Sequence, residues 1–166
     1  FIEDTPGHIV IATSTDKGAT WPGTNTDISS EDGDKPHLWV DNKKYINGDA
    51  SSNSYKGNLY AAYRPDSPIT KMKFTMRTAG TSTWTTPADI HTGLTGATNH
   101  LGVNIQTGTE GEVYACWTMH KNNEGSQPVK PFAIAFNRSV DGGATWGDGH
   151  SGNAWNCLLY TSDAAD

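Results

Sequence analysis

The sequence has little cysteine: two residues in 166, Cys116 and Cys157. Cys116 lies inside the apolar run "YACW". It reads as a small buried residue rather than a nucleophile or half of a disulfide. Cysteine usage therefore says nothing about the redox compartment. Clustered basic residues are also lacking. Lys and Arg number 12 against 18 Asp and Glu, a net charge of −6, which argues against nucleic acid as a partner. No apolar run approaches the roughly 20 residues of a membrane helix. No stretch has the 3.6-residue periodicity of an amphipathic helix. The chain opens at Phe1 without Met or a basic leader, so the absence of a signal peptide carries no information about export.

What is abundant is strand and turn material. Eighteen Gly, six Trp and six Tyr alternate with many Thr, Ser and Asn. "STDKGATW" (14–21) returns as "SVDGGATW" (139–146), and halfway between them stands "RTAGTSTW" (77–84). Trp21, Trp84 and Trp146 are thus 63 and 62 residues apart. "HLWVD" (37–41) repeats as "HLGVN" (100–104), "GNLYAAY" (57–63) as "GEVYACW" (111–117), and "KMKFTMRT" (71–78) as "FAIAFNRS" (132–139). Several segments repeating in one order define a tandem unit. Each unit reads as three strands, the eight-residue phrase, and a fourth strand, near "TTPADI" (85–90) in the complete copy.

Tandem four-stranded units predict an all-β β-propeller. Residues 1–30 would end one blade, 34–91 would form a complete blade, and 99–156 would form three strands of the next. Propellers close with about 4–8 blades, so two and a half predict a portion of a ring. The last ten residues, "CLLYTSDAAD" (157–166), resemble the translation of a transposase sequencing adapter, and that reading excludes them from the fold. Without Asp163 and Asp166 the net charge is −4.

The repeated phrase is built for turning. Asp16 and Asp141 can accept backbone N–H groups, as in Asx-turns, and Ser14 and Ser139 can add a hydroxyl bond. Gly18 and Gly143 permit a left-handed backbone. Trp21, Trp84 and Trp146 are expected to pack between neighbouring sheets. The spacing S-x-D-x-G-x-x-W resembles the Asp box, or BNR repeat, of sialidase-like propellers. "GDKPHLWVD" (33–41) followed by "YKGNLYAAY" (55–63) is similar to the blade pattern of bacterial sialidase-related proteins. The resemblance covers nearly all of residues 9–150 and implies a six-bladed ring of the sialidase-like type, with the substrate pocket on the end opposite the Asp boxes.

Antiparallel alternation sorts the connections. "NKKYINGDASSNSYK" (42–56) shares the Asp-box end. "TDISSEDGDKP" (26–36), "RPDSP" (64–68), "TGLTGATNH" (92–100) and "TMHKNNEGSQPVK" (118–130) are predicted loops of the opposite end. There Asp34 is a candidate acid/base or substrate ligand, or a turn residue. Arg64 is a candidate carboxylate fork, or one side of a rim salt bridge with Asp66. Lys35, Asp66, His120 and Lys121 are candidate substrate-binding residues. His37 and His100 recur at equivalent positions, which argues for structure over metal ligation. No metal or other cofactor is implied. "SSEDGD" (29–34) lacks EF-hand spacing and reads as a solvated loop, and "NRS" (137–139) is a weak glycosylation sequon.

For the whole protein the resemblance implies a glycoside hydrolase of the exo-sialidase type. It would remove terminal sialic acid or a related acidic sugar and would be secreted, periplasmic or at the cell surface. A glycan or sialoglycoconjugate is the expected partner of a monomeric protein. The alternative is a non-catalytic propeller that binds glycans or proteins at a bacterial surface. The family's three-Arg clamp, Asp acid and Tyr–Glu pair do not map here. The only arginines are Arg64, Arg77 and Arg138, the last two adjoin Asp-box positions, and no F/Y-R-I-P-type segment is present. The 166-residue chain by itself is predicted to be inactive.

Overall fold

The computed structural model describes residues 2–4, 7–21, 23, 25–42, 54–121, 130–147 and 155–158. Their regular structure is all strand, with no helix among the described residues. Alternation of side chains sets the faces. In β8 (Val113–Lys121), Val113, Ala115, Trp117 and Met119 are buried. The residues between them look the other way, so Cys116 is exposed. This corrects its sequence assignment as a buried residue: the apolar letters of "YACW" belong to two opposite faces.

Six strands, β1 (Ile2–Asp4), β2 (His8–Ile11), β3 (Thr26–Val40), β4 (Leu59–Pro65), β5 (Lys73–Arg77) and β6 (Ala88–Asp89), form one sheet in sequence order. β7 (Asn99–Thr107), β8, β9 (Lys130–Ser139) and β10 (Trp155–Leu158) form a second. All neighbours are antiparallel. The second sheet has four strands where the sequence predicted three. β10 joins the open edge of β9, with Trp155 opposite Phe136 and Leu158 opposite Ala133. Cys157 and Leu158, excluded as adapter-like, lie in that strand. An edge strand offers unpaired backbone groups to any extended segment that reaches it. Residues 159–166 lie outside the described residues, as do 43–53 of the polar segment and 122–129.

β3 departs most from expectation. Residues 26–36, read as a loop, are strand. The first half pairs with β2, Thr26 opposite Ile11 and Asp32 opposite His8, and the second half pairs with β4, Gly33 opposite Pro65 through Val40 opposite Leu59. Ile28 and Ser29 point inward, and the Ser29 hydroxyl accepts the Ile9 N–H at 2.8 Å. The acidic residues that suggested a loop find His8 and Lys73 beside them. Gly33 is required here, because a Cβ would stand 2.7 Å from Tyr63 Cδ2.

β4 is buried on both faces. Tyr60 and Ala62 join a large core with Phe74, Ile105, Ala115, Trp117 and Ala135, between the two sheets. Ala61 and Tyr63 join a smaller core with Ile9 and Ile28. Each fully buried large side chain contributes about 1.5–3 kcal/mol relative to exposure.

The two full phrases fold into the same turn. Gly18 N–H donates to Ser14 Oγ at 2.8 Å and Thr20 N–H to Asp16 Oδ1 at 2.9 Å. Gly143 N–H donates to Ser139 Oγ and Thr145 N–H to Asp141 Oδ1, both at 2.8 Å. In both, the Ser hydroxyl donates to the Asp carboxylate at 2.7 Å. Two consecutive residues are left-handed, Lys17 and Gly18 in one turn and Gly142 and Gly143 in the other. Trp146 meets Phe74 edge-on at 4.7 Å, and Trp84 packs against the smaller core. Trp21 does not pack between sheets as expected: it is 62% exposed, because no described strand lies against its turn.

The two turns supply a matched stability test. A Cβ on Gly143 would stand 2.7 Å from Phe74 Cζ, whereas one on Gly18 meets only Trp21 Cζ2 at 3.9 Å. Both glycines are left-handed, so the backbone penalty is shared. Gly143→Ala should lower stability by about 1–3 kcal/mol more than Gly18→Ala, as read by urea unfolding. Equal losses would show that Phe74 does not constrain the turn.

Candidate functional site

Arg64 is the first charged residue after the doubly buried run of β4, so the strand carries its side chain to the sheet end. It sits directly opposite Asp34 in the ladder. Its side chain is 13% exposed. Nη2 donates to Asp34 Oδ2 at 2.9 Å and to Asp66 Oδ1 at 3.3 Å, and Nη1 donates to Asn99 Oδ1 at 3.2 Å. Nε is buried and finds no acceptor among the described residues. Lys35 Nζ reaches the same Asp34 Oδ2 at 3.0 Å. Lys35 is left-handed, at the irregularity where the register shifts between Asp34 and His37. Two cations and two carboxylates therefore share one partly exposed cluster with no formal net charge.

Asn99 opens β7 and pairs with His120 of β8, which brings the second sheet into the same neighbourhood. His120 Nε2 lies 2.8 Å from Thr118 Oγ1, and Lys121 Nζ lies 4.7 Å from the Phe132 ring centroid. Thus Asp34, Lys35, Arg64 and Asp66 form one ion-pair group, Asn99 joins it, and His120 and Lys121 stand at the corresponding end of β8. The turn phrases lie at the other ends of these strands. Arg77, which begins the partial phrase, is opposite Leu59, and Ser139 is opposite Val113. Seven-residue β4 separates the two ends by roughly 20 Å. Tyr55, from the polar 42–56 segment, lies against Gly111 and Gly142, on the side of the turn phrases.

The repeated histidines serve packing. His37 Nδ1 accepts the Ile105 N–H at 3.1 Å, joining β3 to β7. His100 is 2% exposed, and its Nδ1 accepts the Trp117 indole N–H at 2.8 Å. Indole nitrogen only donates, so His100 Nδ1 carries no proton and the ring is neutral. Burial, then the nearby His91 and His120, lower its pKa to about 4.

Tyr63 and Glu31 went unnoticed in the sequence, although they are the residue types of the pair that the resemblance implies. The Tyr63 hydroxyl donates to Glu31 Oε1 at 3.5 Å. The phenol is fully buried, and burial followed by the Glu31 charge raises its pKa, the reverse of an activated nucleophile. Asn99 was also missed as an Arg64 partner. Its only signal was its place beside the repeating His100. Asn137 of the sequon is fully buried and donates to the Ile90 carbonyl at 2.8 Å, so the folded chain does not present it for modification. Among the described residues no group of three or more His, Cys, Asp or Glu is placed to hold a metal ion. Among the described residues no helix is long and apolar enough to cross a membrane. The chain matches no family model, and no curated protein or solved structure is significantly similar to it.

His100 predicts an acid-sensitive fold. Its folded pKa lies below the ordinary 6.5, so the unfolded chain binds the proton more readily. The stabilisation is present above about pH 6.5 and is lost as pH falls toward 4. His100→Gln removes the titrating group, so unfolding midpoints should vary less across this window than those of the unsubstituted chain. An unchanged pH profile would remove His100 as the cause.

Proposed function

We propose that this chain is part of a sialidase-like Asp-box β-propeller, and that the strand ends around Arg64 belong to its glycan-facing end. The reading is carried by the Ser–Asp–Gly turn, which recurs with the same hydrogen bonds on the same atoms after β2 and after β9. The order of strands supports it. β1, β2 and the first half of β3 would end one blade, the second half of β3 with β4–β6 would form the next, and β7–β10 another. For the whole protein the proposed activity is exo-sialidase-type removal of a terminal acidic sugar at a secreted, periplasmic or cell-surface location.

A second reading, a glycan-binding propeller without catalysis, is favoured by one observation. Arg64 is already neutralised by Asp34 and Asp66, so it has less to offer a substrate carboxylate than a bare guanidinium. In that reading the same charged and amide groups hydrogen-bond sugar hydroxyls.

Two measurements test the proposal. The purified 166-residue chain should release no fluorophore from a fluorogenic sialoside, because one arc does not enclose a ring-centred site. Release would overturn that view. Titration with millimolar N-acetylneuraminic acid should shift the backbone amide resonances of Asp34, Lys35, Arg64 and Asp66, and Arg64→Leu should abolish the shifts. Shifts confined to the two Ser–Asp–Gly turns would reverse the assignment of ends, and no shifts at all would remove the glycan reading.

A further inference from the structure

We propose that His37 is a proton-sensitive latch between the two sheets: its neutral ring holds β3 against the free edge of β7, and protonation of the ring releases that hold. The inference goes beyond the glycan reading and does not rest on it.

β7 is the last strand of its sheet, so it pairs with β8 on one side only. Its other edge meets β3. There the Ile105 N–H donates to His37 Nδ1 at 3.1 Å. Ile105 is fully buried, so this amide has no water to turn to if the ring withdraws. A backbone N–H only donates. His37 Nδ1 is therefore unprotonated, and the proton of the neutral ring sits on Nε2. Nε2 lies 3.4 Å from Asn104 Nδ2, so β7 flanks both ring nitrogens. The imidazolium form carries a donor at each nitrogen. Protonation thus sets one N–H against another at Nδ1 and strands a buried amide.

Other links cross the same seam. The Trp39 indole donates to Thr107 Oγ1 at 3.0 Å, Arg64 Nη1 to Asn99 Oδ1 at 3.2 Å, and the His100 N–H to the Ile69 carbonyl at 3.1 Å. Their acceptors are hydroxyl, amide and carbonyl oxygens, which take up no proton near neutrality. The imidazole does. His100 fills the equivalent repeat position and also accepts at Nδ1, but from Trp117 within its own sheet. Acid acting on His100 loosens one sheet, whereas acid acting on His37 loosens the joint between two. Asn99 stands on the strand that His37 releases, so the Arg64 cluster lies within reach of the same event.

The surrounding charges leave His37 to respond by itself. Ala62 is opposite it on β4, with Tyr60 and Arg64 two residues to either side. Tyr60 is a neutral phenol, its pKa raised by burial to about 12, and Arg64 is paired with Asp34 and Asp66. On β3, Lys35 is paired with the same Asp34. His100 is the titratable residue of β7, and its ring is neutral. Burial lowers the His37 pKa below the ordinary 6.5. The released ring therefore binds the proton more readily than the latched one. The hold is complete above about pH 6.5 and is lost as pH falls through the lowered value.

Native-state hydrogen exchange on the intact chain, followed by NMR, tests this. Protection of the Ile105 amide, corrected for intrinsic exchange, should fall from about pH 7.5 to about pH 5 by about fivefold more than that of Ala115 on the central strand β8. His37→Asn keeps an acceptor near the place of Nδ1 and takes up no proton, so in that variant the two amides should change in parallel, within about twofold. Parallel changes in the unsubstituted chain, or an excess loss at Ile105 that persists in His37→Asn, overturn the proposal. The unsubstituted chain also decides it without the variant. Long-range proton–nitrogen spectra at about pH 7.5 should place the His37 proton on Nε2, and a proton on Nδ1 overturns the latch. Neither readout involves a sugar, so this proposal and the glycan reading fail separately.

Discussion

The constraint on which the structure depends is that β4 has no polar face. Tyr60 and Ala62 look into the core shared with the second sheet, while Ala61 and Tyr63 look into the core shared with β2 and β3. A strand buried on both sides needs a layer on each, and the chain supplies them from opposite directions in sequence. This is why "LYAAY" is a continuous apolar run instead of an alternating one. It is also why Arg64 is positioned so firmly. The strand arrives clamped by two cores, and its first charged side chain meets Asp34 from one sheet and Asn99 from the other.

That placement decides what the cluster can do. Arg64, Lys35, Asp34 and Asp66 compensate one another, so the group can remain partly desolvated without stranding a charge. Compensation suits recognition of hydroxyl groups and works against a cation poised for an incoming carboxylate. Tyr63, one residue earlier, points to the other face and is held protonated by burial and by Glu31. Neighbouring positions of one strand thus divide into a polar cluster and a core phenol, and neither is an activated nucleophile.

Much of this was legible because the informative features are local. The tryptophan spacing located the repeat, and Ser, Asp and Gly within eight residues specified a turn that closes on itself. Asp34, Arg64 and Asp66 could be assigned to one end from strand alternation alone. The failures were non-local. Acidic residues in 26–36 looked like a loop because their partners, His8 and Lys73, come from other strands. Cys116 looked buried because an apolar neighbourhood in sequence does not say which face a residue takes. Trp21 looked buried because a motif carries no information on whether a neighbour lies against it.

The two turns separate what a motif determines from what its surroundings add. Asp16 is fully exposed, and its bonds from Ser14 and Thr20 still hold its pKa down to about 2. At Asp141 burial pulls upward, yet the bonds from Thr145 and Ser139 outweigh it and the net shift is again downward. Both turns are therefore built around an ionised carboxylate, whether or not anything packs on them. Packing acts on different atoms: it needs a bare Cα at Gly143 because Phe74 is there, and it orients Trp146 edge-on to that ring. The Ser and Asp make the turn, and the Gly and Trp make it a surface that fits an aromatic pair. A turn that forms alone but fits a partner can link one unit to the next without depending on that link to fold.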